Sequence, residues 1–229
     1  CTSMVVEMLN KTLGSKVIFK KTDTDKTYRA ILYPHFDNFF YQKLGTSVIF
    51  GKKVDEAGTQ IFLPFELLKS LEQTQFENHP ISGVTKTLLE FKKEAPSSWW
   101  DNFYTFAFLL GFIVVINKKS IDLFYLSIMG LLGIFFGFMG FYSSHQELAY
   151  NYNIMLFNPL LLALLYFQYT KNRKWIINIS LLNIFFLFIY LVFMLNKIHL
   201  LIVLPLILTS LVLLVKMIIL NSKRIPVVI

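Results

Sequence analysis

Residues 121–143 read IDLFYLSIMGLLGIFFGFMGFYS, an apolar run with one charged residue, Asp122, near its start. A helix needs about 17–25 such residues to cross the hydrocarbon core of a bilayer. Backbone polar groups in lipid must be satisfied within their own segment, so we expect the run to be helical. Similar apolar runs occupy residues 99–117, 154–170, 175–196 and 198–220. The sequence therefore predicts an integral membrane domain, residues 99–229, with five transmembrane helices.

The composition agrees with a membrane protein and argues against a nucleic-acid-binding protein. The chain is 55% hydrophobic with a mean hydropathy of +0.56, whereas soluble domains are about 45–50% apolar. Most of the net charge of +8 follows residue 100, where 9 Lys and Arg stand against 3 Asp and Glu. These cations cluster between apolar runs, whereas nucleic-acid binding calls for cations on one folded face. We therefore expect the lipid bilayer as a partner and no nucleic acid.

The charges of the loops predict the orientation of the membrane domain, because loops rich in Lys and Arg stay in the cytoplasm. The loop 144–153 has no Lys or Arg, and the loop near residue 197 has one. Cation-rich segments alternate with these loops: Lys118 and Lys119, then Lys171, Arg173 and Lys174, then Lys223 and Arg224. We therefore expect a cytoplasmic C-terminus and a separate domain, residues 1–98, outside the cytoplasm.

Residues 1–98 have the patterns of a mixed α/β domain. Residues 2–13 have helical apolar spacing, with Gly14 at the position that favours a helix C-cap. Residues 27–36 and 64–74 are also predicted to be helical, and Pro64 suits a first helical turn. The strand candidates are residues 17–19 and 85–91.

Cys1 is the only cysteine of the chain, and it directly precedes the first predicted helix. A thiol at a helix N-terminus faces unpaired N–H groups and the positive end of the helix dipole, which favour the thiolate. A thiolate of this kind is a nucleophile that can form a thioester. The alternative is a cysteine left by processing, for example a lipidated one. The chain contains no nucleotide, haem or metal motif, so we expect no cofactor.

Four stretches of sequence occur in the order seen in one membrane-protein family. They are Cys1-Thr2-Ser3 before a helix, residues 25–31 with Tyr28-Arg29, GTSVIFGKKVDEAGTQIFLP from Gly45, and HQELAYNYNIMLFNPL from His145. Together they resemble the Lnb proteins of Bacteroidetes, and the resemblance extends over most of the chain. It implies a location in the bacterial inner membrane, with residues 1–98 in the periplasm.

The resemblance implies a lipoprotein N-acyltransferase with an α+β, partial papain-like domain of the permuted NlpC type before the five-helix bundle. In that scheme Cys1 takes an acyl chain from a membrane phospholipid. The thioester then passes the acyl chain to the α-amine of a diacylglyceryl lipoprotein. The catalytic histidine precedes the cysteine in permuted members of this fold. The chain is therefore expected to be the C-terminal part of a longer protein, with the N-terminal half of its own polypeptide as a further partner and the catalytic base upstream of residue 1.

The resemblance also suggests residues that contact the substrate. His145, Asn151, Asn153 and Asn158 cluster at one membrane boundary, on the side predicted for Cys1. They are expected to bind a phospholipid or lipoprotein headgroup, or to brace the soluble domain over the bundle, and an ordinary polar loop is the simpler alternative. Arg29 matches a family position and is expected to be a phosphate-facing or a structural cation.

Two further functions are compatible with a polytopic membrane protein. A transporter would carry ionisable residues near the membrane midplane, and Asp122 and Lys216 instead lie near the inner ends of their runs. A non-enzymatic inner-membrane accessory or assembly protein of the cell envelope, with Cys1 lipidated or inert, remains the alternative to an acyltransferase. Glycines at positions 130, 133, 137 and 140 predict close helix packing in preference to a slot for an acyl tail.

Overall fold

A computed structural model describes residues 2–89 and 98–222. The described chain is mostly helical and divides into two compact units. The first unit comprises Cys1–His35 and Val54–Pro96, and the second comprises Phe36–Lys53 and Ser97–Ile229. Residues Phe36–Lys53, predicted to belong with the N-terminal part, are thus grouped with the membrane-spanning part.

The first unit contains the three helices that the sequence predicts. Helix α1 covers Thr2–Thr12, α2 covers Tyr28–Leu32 and α4 covers Pro64–Glu72. Gly14 follows α1 with a φ of +68°, the left-handed conformation that ends many helices. The hydroxyl of Thr27 caps α2 by accepting a hydrogen bond from the third residue after it. These local signals therefore place the helices correctly.

The prediction of strands at residues 17–19 and 85–91 is wrong. Neither residues 17–19 nor residues 85–89, the described part of the second range, form a strand. Around residue 18 the backbone pairs with a side chain and not with a neighbouring strand. The amide of Asn10 accepts from Ile18 N at 2.7 Å and donates to Ile18 O at 2.8 Å. An extended segment whose polar groups are satisfied in this way needs no β-ladder.

The sheet within residues 2–89 and 98–222 is a single hairpin. Strand β1, Gln75–Phe76, pairs antiparallel with β2, His79–Pro80. The two residues between them, Glu77 and Asn78, have positive φ, as tight hairpin turns require. A hairpin of two residues per strand does not provide evidence for the sheet of a papain-like fold. That fold stays a prediction.

Two buried ion pairs accompany a small apolar core in the first unit. Lys20 Nζ lies 2.7 Å from Glu66 Oε1, and Arg29 Nε lies 2.7 Å from Asp55 Oδ1. Both pairs are almost fully shielded from solvent. The apolar residues buried in this unit include Ile18, Ile31, Val54 and Ile61. A buried pair is costly to break, because one partner alone is an uncompensated charge.

The second unit contains the apolar helices. Three of them, α6 (Lys119–Tyr142), α8 (Arg173–Met194) and α9 (Leu200–Ser222), are long and apolar enough to cross a membrane. Helix α5, Phe103–Ile116, is shorter. Helix α3, Phe40–Ile49, belongs to the same unit and was not predicted. Three of the five predicted spans are thus single long helices in the structure.

The third predicted span, residues 154–170, is not one helix. A 3-10 turn, Tyr152–Met155, is followed by irregular backbone, and α7 covers only Leu161–Tyr169. Proline at 159 has no N–H for a helix, and Asn158 Oδ1 instead accepts from Leu160 N at 3.0 Å. The segment 156–158 is buried in protein. Irregular backbone at membrane depth is tolerated only in such a place.

The glycine stripe of α6 lies against this irregular segment. A Cβ atom at Gly133 would overlap the backbone oxygen of Phe157, and one at Gly130 would overlap Leu162. The prediction of close packing is therefore confirmed at Gly130 and Gly133, because the backbone of Phe157 and the side chain of Leu162 occupy the space that side chains on α6 would fill.

Candidate functional site

Cys1 lies outside the described residues, so its role as a nucleophile stays a prediction. Helix α1 begins at Thr2, the next residue along the chain. A cavity of about 470 Å³ follows the first turns of α1 within the first unit. Ser3, Glu7 and Asn10 contribute to its lining. The structure thus shows a helix that starts one residue after Cys1 and an open space along that helix.

The loop before α7 provides a set of buried amides that satisfy the C-terminal end of α3. Asn153 Nδ2 donates to Val48 O at 2.9 Å and to Ser47 O at 3.2 Å. Asn151 Nδ2 donates to Val48 O at 2.9 Å and to Ile49 O at 3.0 Å. The last carbonyls of a helix have no partner within the helix. The two asparagines therefore act as a C-cap supplied from about 100 positions further along the chain.

The two asparagines are themselves held in place. Asn151 Oδ1 accepts from the backbone N–H of Asn153 at 2.9 Å, and Asn153 Oδ1 accepts from the hydroxyl of Tyr190 at 2.7 Å. The hydroxyl of Tyr152, the residue between them, lies 3.0 Å from Nε2 of His199. The loop is thus tied to α8 and to the segment just before α9.

Gly51, two residues after α3, completes the contact with this loop. Its N–H donates to Glu147 O at 2.8 Å, and a Cβ atom at this position would overlap the backbone of Ala149. Only glycine allows this close an approach of the two backbones. The polar groups of the loop therefore hold α3 against the membrane-spanning helices by hydrogen bonds and by backbone contact.

The structure brings together only some of the residues predicted to contact substrate. Asn151 and Asn153 are adjacent and buried, and Asn158 bonds its own loop. His145 is exposed, with its ring 4.0 Å from the carboxylate of Glu147. Arg29 belongs to the first unit, is 1% exposed and pairs with Asp55. This is the geometry of a structural cation, and the assignment of these five residues to substrate stays a prediction.

Sequence reasoning missed two residues of this network, Tyr190 and His199. Both are buried, and each bonds a residue of the loop before α7. A tyrosine in an apolar span was a usable signal, because a buried hydroxyl needs a partner. Among residues 2–89 and 98–222, no group of three or more His, Cys, Asp or Glu side chains could hold a metal ion.

Long apolar helices around a buried, irregular and polar loop define a polytopic α-helical membrane protein. The family model of the Lnb transmembrane domain matches residues 103–225, which is more than half of the chain. The chain therefore belongs to the Lnb transmembrane domain family. Comparisons with curated proteins and with solved structures give no match.

Proposed function

We propose that this chain is the C-terminal part of a membrane-bound cysteine acyltransferase that N-acylates lipoproteins. Its membership of the Lnb transmembrane domain family carries the proposal. The start of α1 immediately after Cys1 supports it, because helix N-termini favour thiolates. The soluble part lies in the periplasm in this proposal, and its papain-like fold is completed by residues upstream of Cys1.

The proposed reaction has two acyl-transfer steps. First, the Cys1 thiolate attacks an ester carbonyl carbon of a phospholipid. The C–O bond breaks, a thioester forms, and the lysophospholipid oxygen leaves with a proton from the general acid. Second, the free α-amine of a diacylglyceryl lipoprotein attacks the thioester carbonyl. An amide forms, the amine proton passes to the base, and the thiolate is restored.

The described residues support this reaction in different ways. The cavity along α1 offers a place for one acyl chain close to Cys1 in the sequence. A structural role within the second unit explains Asn151 and Asn153 better than headgroup binding, because their amides already cap α3. Of the four loop residues predicted to contact substrate, His145 is the exposed one, so its side chain is accessible to a headgroup.

The test replaces Cys1 in the full-length protein and reads the mass of its products. We expect lipoproteins from cells with Cys1→Ser to lack one acyl chain, as measured by intact-mass spectrometry. Lys11→Gln is a matched control, because Lys11 is an exposed residue of the same helix, and lipoproteins from those cells should keep the chain. Both variants must be present in the membrane at the level of the wild type.

Retention of N-acylation by Cys1→Ser at normal protein level would refute the enzymatic proposal and favour an accessory protein of the envelope. A second readout is the intermediate itself. A phospholipid with a tagged acyl chain should label the wild-type protein through a bond that hydroxylamine cleaves, as thioesters are cleaved. Labelling that survives in Cys1→Ser would place the acyl group on another residue.

A further inference from the structure

One end of the membrane-spanning unit contains a polar cavity of about 300 Å³. This is the lower end of the ~300–1,000 Å³ range of ligand pockets. It lies between the end of α5, the start of α6 and the last turns of α7 and α9, at the cation-rich end of the helices. The polar residues that line it are Asn117, Lys119, Asp122, Gln168, Lys216 and Asn221.

A buried carboxylate forms part of this cavity. Asp122 is 3% exposed, and its Oδ2 lies 2.6 Å from Nζ of Lys216. Its other oxygen, Oδ1, has no hydrogen-bond partner in the part of the chain that the structure describes. A buried acceptor without a donor costs about 1–3 kcal/mol or more. The site therefore favours a ligand that carries an N–H or O–H donor.

Two further residues that line the cavity favour an acceptor in the ligand. Gln168 Nε2 has a weak acceptor, the sulfur of Met217, at 3.5 Å. Lys119, at the first turn of α6, is exposed and lines the same cavity. A strong donor with a poor acceptor and an accessible cation both favour an anionic oxygen, such as that of a phosphodiester.

We propose that this cavity binds the headgroup of phosphatidylethanolamine. Its phosphodiester accepts from Lys119 and Gln168, and its primary ammonium donates to the carboxylate of Asp122. Basic pockets between transmembrane helices are known to bind anionic lipid headgroups. The carboxylate selects against phosphatidylcholine, whose quaternary ammonium has no N–H donor. It binds phosphatidylglycerol less strongly than phosphatidylethanolamine, because the glycerol hydroxyls can donate but carry no positive charge. The inference is independent of Cys1 and of the proposed reaction.

The first experiment compares three lipids on the full-length wild-type protein. Native mass spectrometry measures how much phosphatidylethanolamine, phosphatidylcholine or phosphatidylglycerol, all with the same acyl chains, stays bound. We expect phosphatidylethanolamine to be retained about tenfold better than phosphatidylcholine, as for the loss of one charge-assisted hydrogen bond. Equal retention of these two lipids, or stronger retention of phosphatidylglycerol, would overturn the proposal.

Variants then locate the site. Lys119→Gln should lower the retention of all three lipids several-fold, and Asp122→Asn should remove the preference for phosphatidylethanolamine over phosphatidylcholine. Lys174→Gln is the matched control, an exposed cation at the start of α8 outside the cavity lining, and it should change neither quantity. An equal effect of Lys174→Gln and Lys119→Gln would mean general attraction by surface charge, and would overturn the proposal.

Asp122→Asn leaves Lys216 without its carboxylate partner. A loss of lipid binding in this single variant can therefore come from a folding defect as well as from the lost carboxylate. The double variant Asp122→Asn/Lys216→Met removes both charges of the pair and keeps Lys119 and Gln168 in the cavity lining. It should still bind phospholipid through Lys119 and Gln168 but without preference for phosphatidylethanolamine. If the preference persists in the folded double variant, Asp122 does not recognise the ammonium and the proposal fails.

Discussion

The hydroxyl of Tyr190, on α8, donates a hydrogen bond of 2.7 Å to Oδ1 of Asn153, whose Nδ2 donates to the backbone oxygens that end α3. One amide thus connects a membrane-spanning helix with a helix that lies more than 100 positions earlier in the chain. Asn153 is completely buried. Both ends of its amide are used, so no smaller or purely apolar side chain can replace it without leaving partners unsatisfied.

Replacing Asn153 by alanine should therefore destabilise the protein and release the end of α3. The hydroxyl of Tyr190 and the carbonyl of Ser47 would each lose the hydrogen bond to this amide, whereas Val48 O would keep the bond from Asn151, and the lost bonds should cost about 2–4 kcal/mol. Thermal unfolding in detergent measures the stability loss. Hydrogen exchange of the amides of residues 46–50 measures the release of α3, and it should become faster.

Asn183 supplies a matched control for this prediction. It is also a buried asparagine, but its Nδ2 bonds the carbonyl of Ile179 in its own helix at 2.8 Å, and its Oδ1 has no partner among the described residues. Asn183→Ala should therefore be close to neutral, with no effect on the exchange of α3. A loss of stability for Asn183→Ala as large as that for Asn153→Ala would mean that buried asparagines matter here for volume alone.

The contrast between α1 and α3 shows which helices the sequence can predict. Helix α1 was predicted because apolar spacing and Gly14 are local signals. Helix α3, FYQKLGTSVI, contains a glycine, a serine, a threonine and two β-branched apolar residues, so its local preference for helix is weak. Its C-terminal carbonyls are satisfied by Asn151 and Asn153. No pattern within residues 40–49 reveals a cap that comes from so distant a loop.

The same limit applies to the candidate site. The sequence identified the asparagine-rich segment as a functional or bracing element, and hydropathy alone extended a continuous helix through it. The Asn158-Pro159 pair, together with the glycines of α6, decides the actual path, because the irregular backbone needs a surface without side chains to lie on. Packing between helices decides which residues meet, such as Tyr190 with Asn153. No periodic pattern in the sequence reveals such pairs.

Alanine substitutions of two glycines in apolar helices should have opposite effects. In Gly133→Ala the new methyl group would overlap the backbone oxygen of Phe157, so overpacking should cost about 1–3 kcal/mol or more. In Gly111→Ala, on α5, the methyl group meets nothing within 4 Å. That variant should be neutral or gain up to about 1 kcal/mol from helix propensity. Thermal unfolding of the two variants side by side distinguishes them, and equal melting temperatures would contradict the close packing on α6.

Breaking the ion pair between Arg29 and Asp55 should destabilise the first unit. Arg29→Ala or Asp55→Ala alone would leave a buried charge without its counter-ion, at a cost of about 3–5 kcal/mol. The double variant Arg29→Met/Asp55→Leu should lose less than either single variant, because it leaves no buried charge. Hydrogen exchange of residues 28–32 in the full-length protein measures these losses.

A ligand-binding Arg29 predicts a different pattern. Stability would then respond little to Arg29→Ala, and the double variant would lose N-acylation although it is folded. Lys26→Ala provides the surface control, since Lys26 pairs with Asp23 in an exposed position, and exposed pairs contribute little. No measurable change is expected for that variant. A destabilisation of the first unit by Lys26→Ala would indicate that the measurement responds to any loss of charge.

The segment 152–170 should cross the membrane although its helix α7 is short. Nine helical residues reach only about 14 Å of a core about 30 Å thick. The turns before α7 add further length to the segment, so residues 150 and 172, at its two ends, should be exposed on opposite sides. In a Cys1→Ser background, Tyr150→Cys should react with a membrane-impermeant maleimide in intact spheroplasts, and Asn172→Cys should react only after permeabilisation. Both positions are solvent-exposed. Labelling of both from outside would mean that the segment turns back within the bilayer, and the reverse pattern would invert the orientation predicted from loop charge.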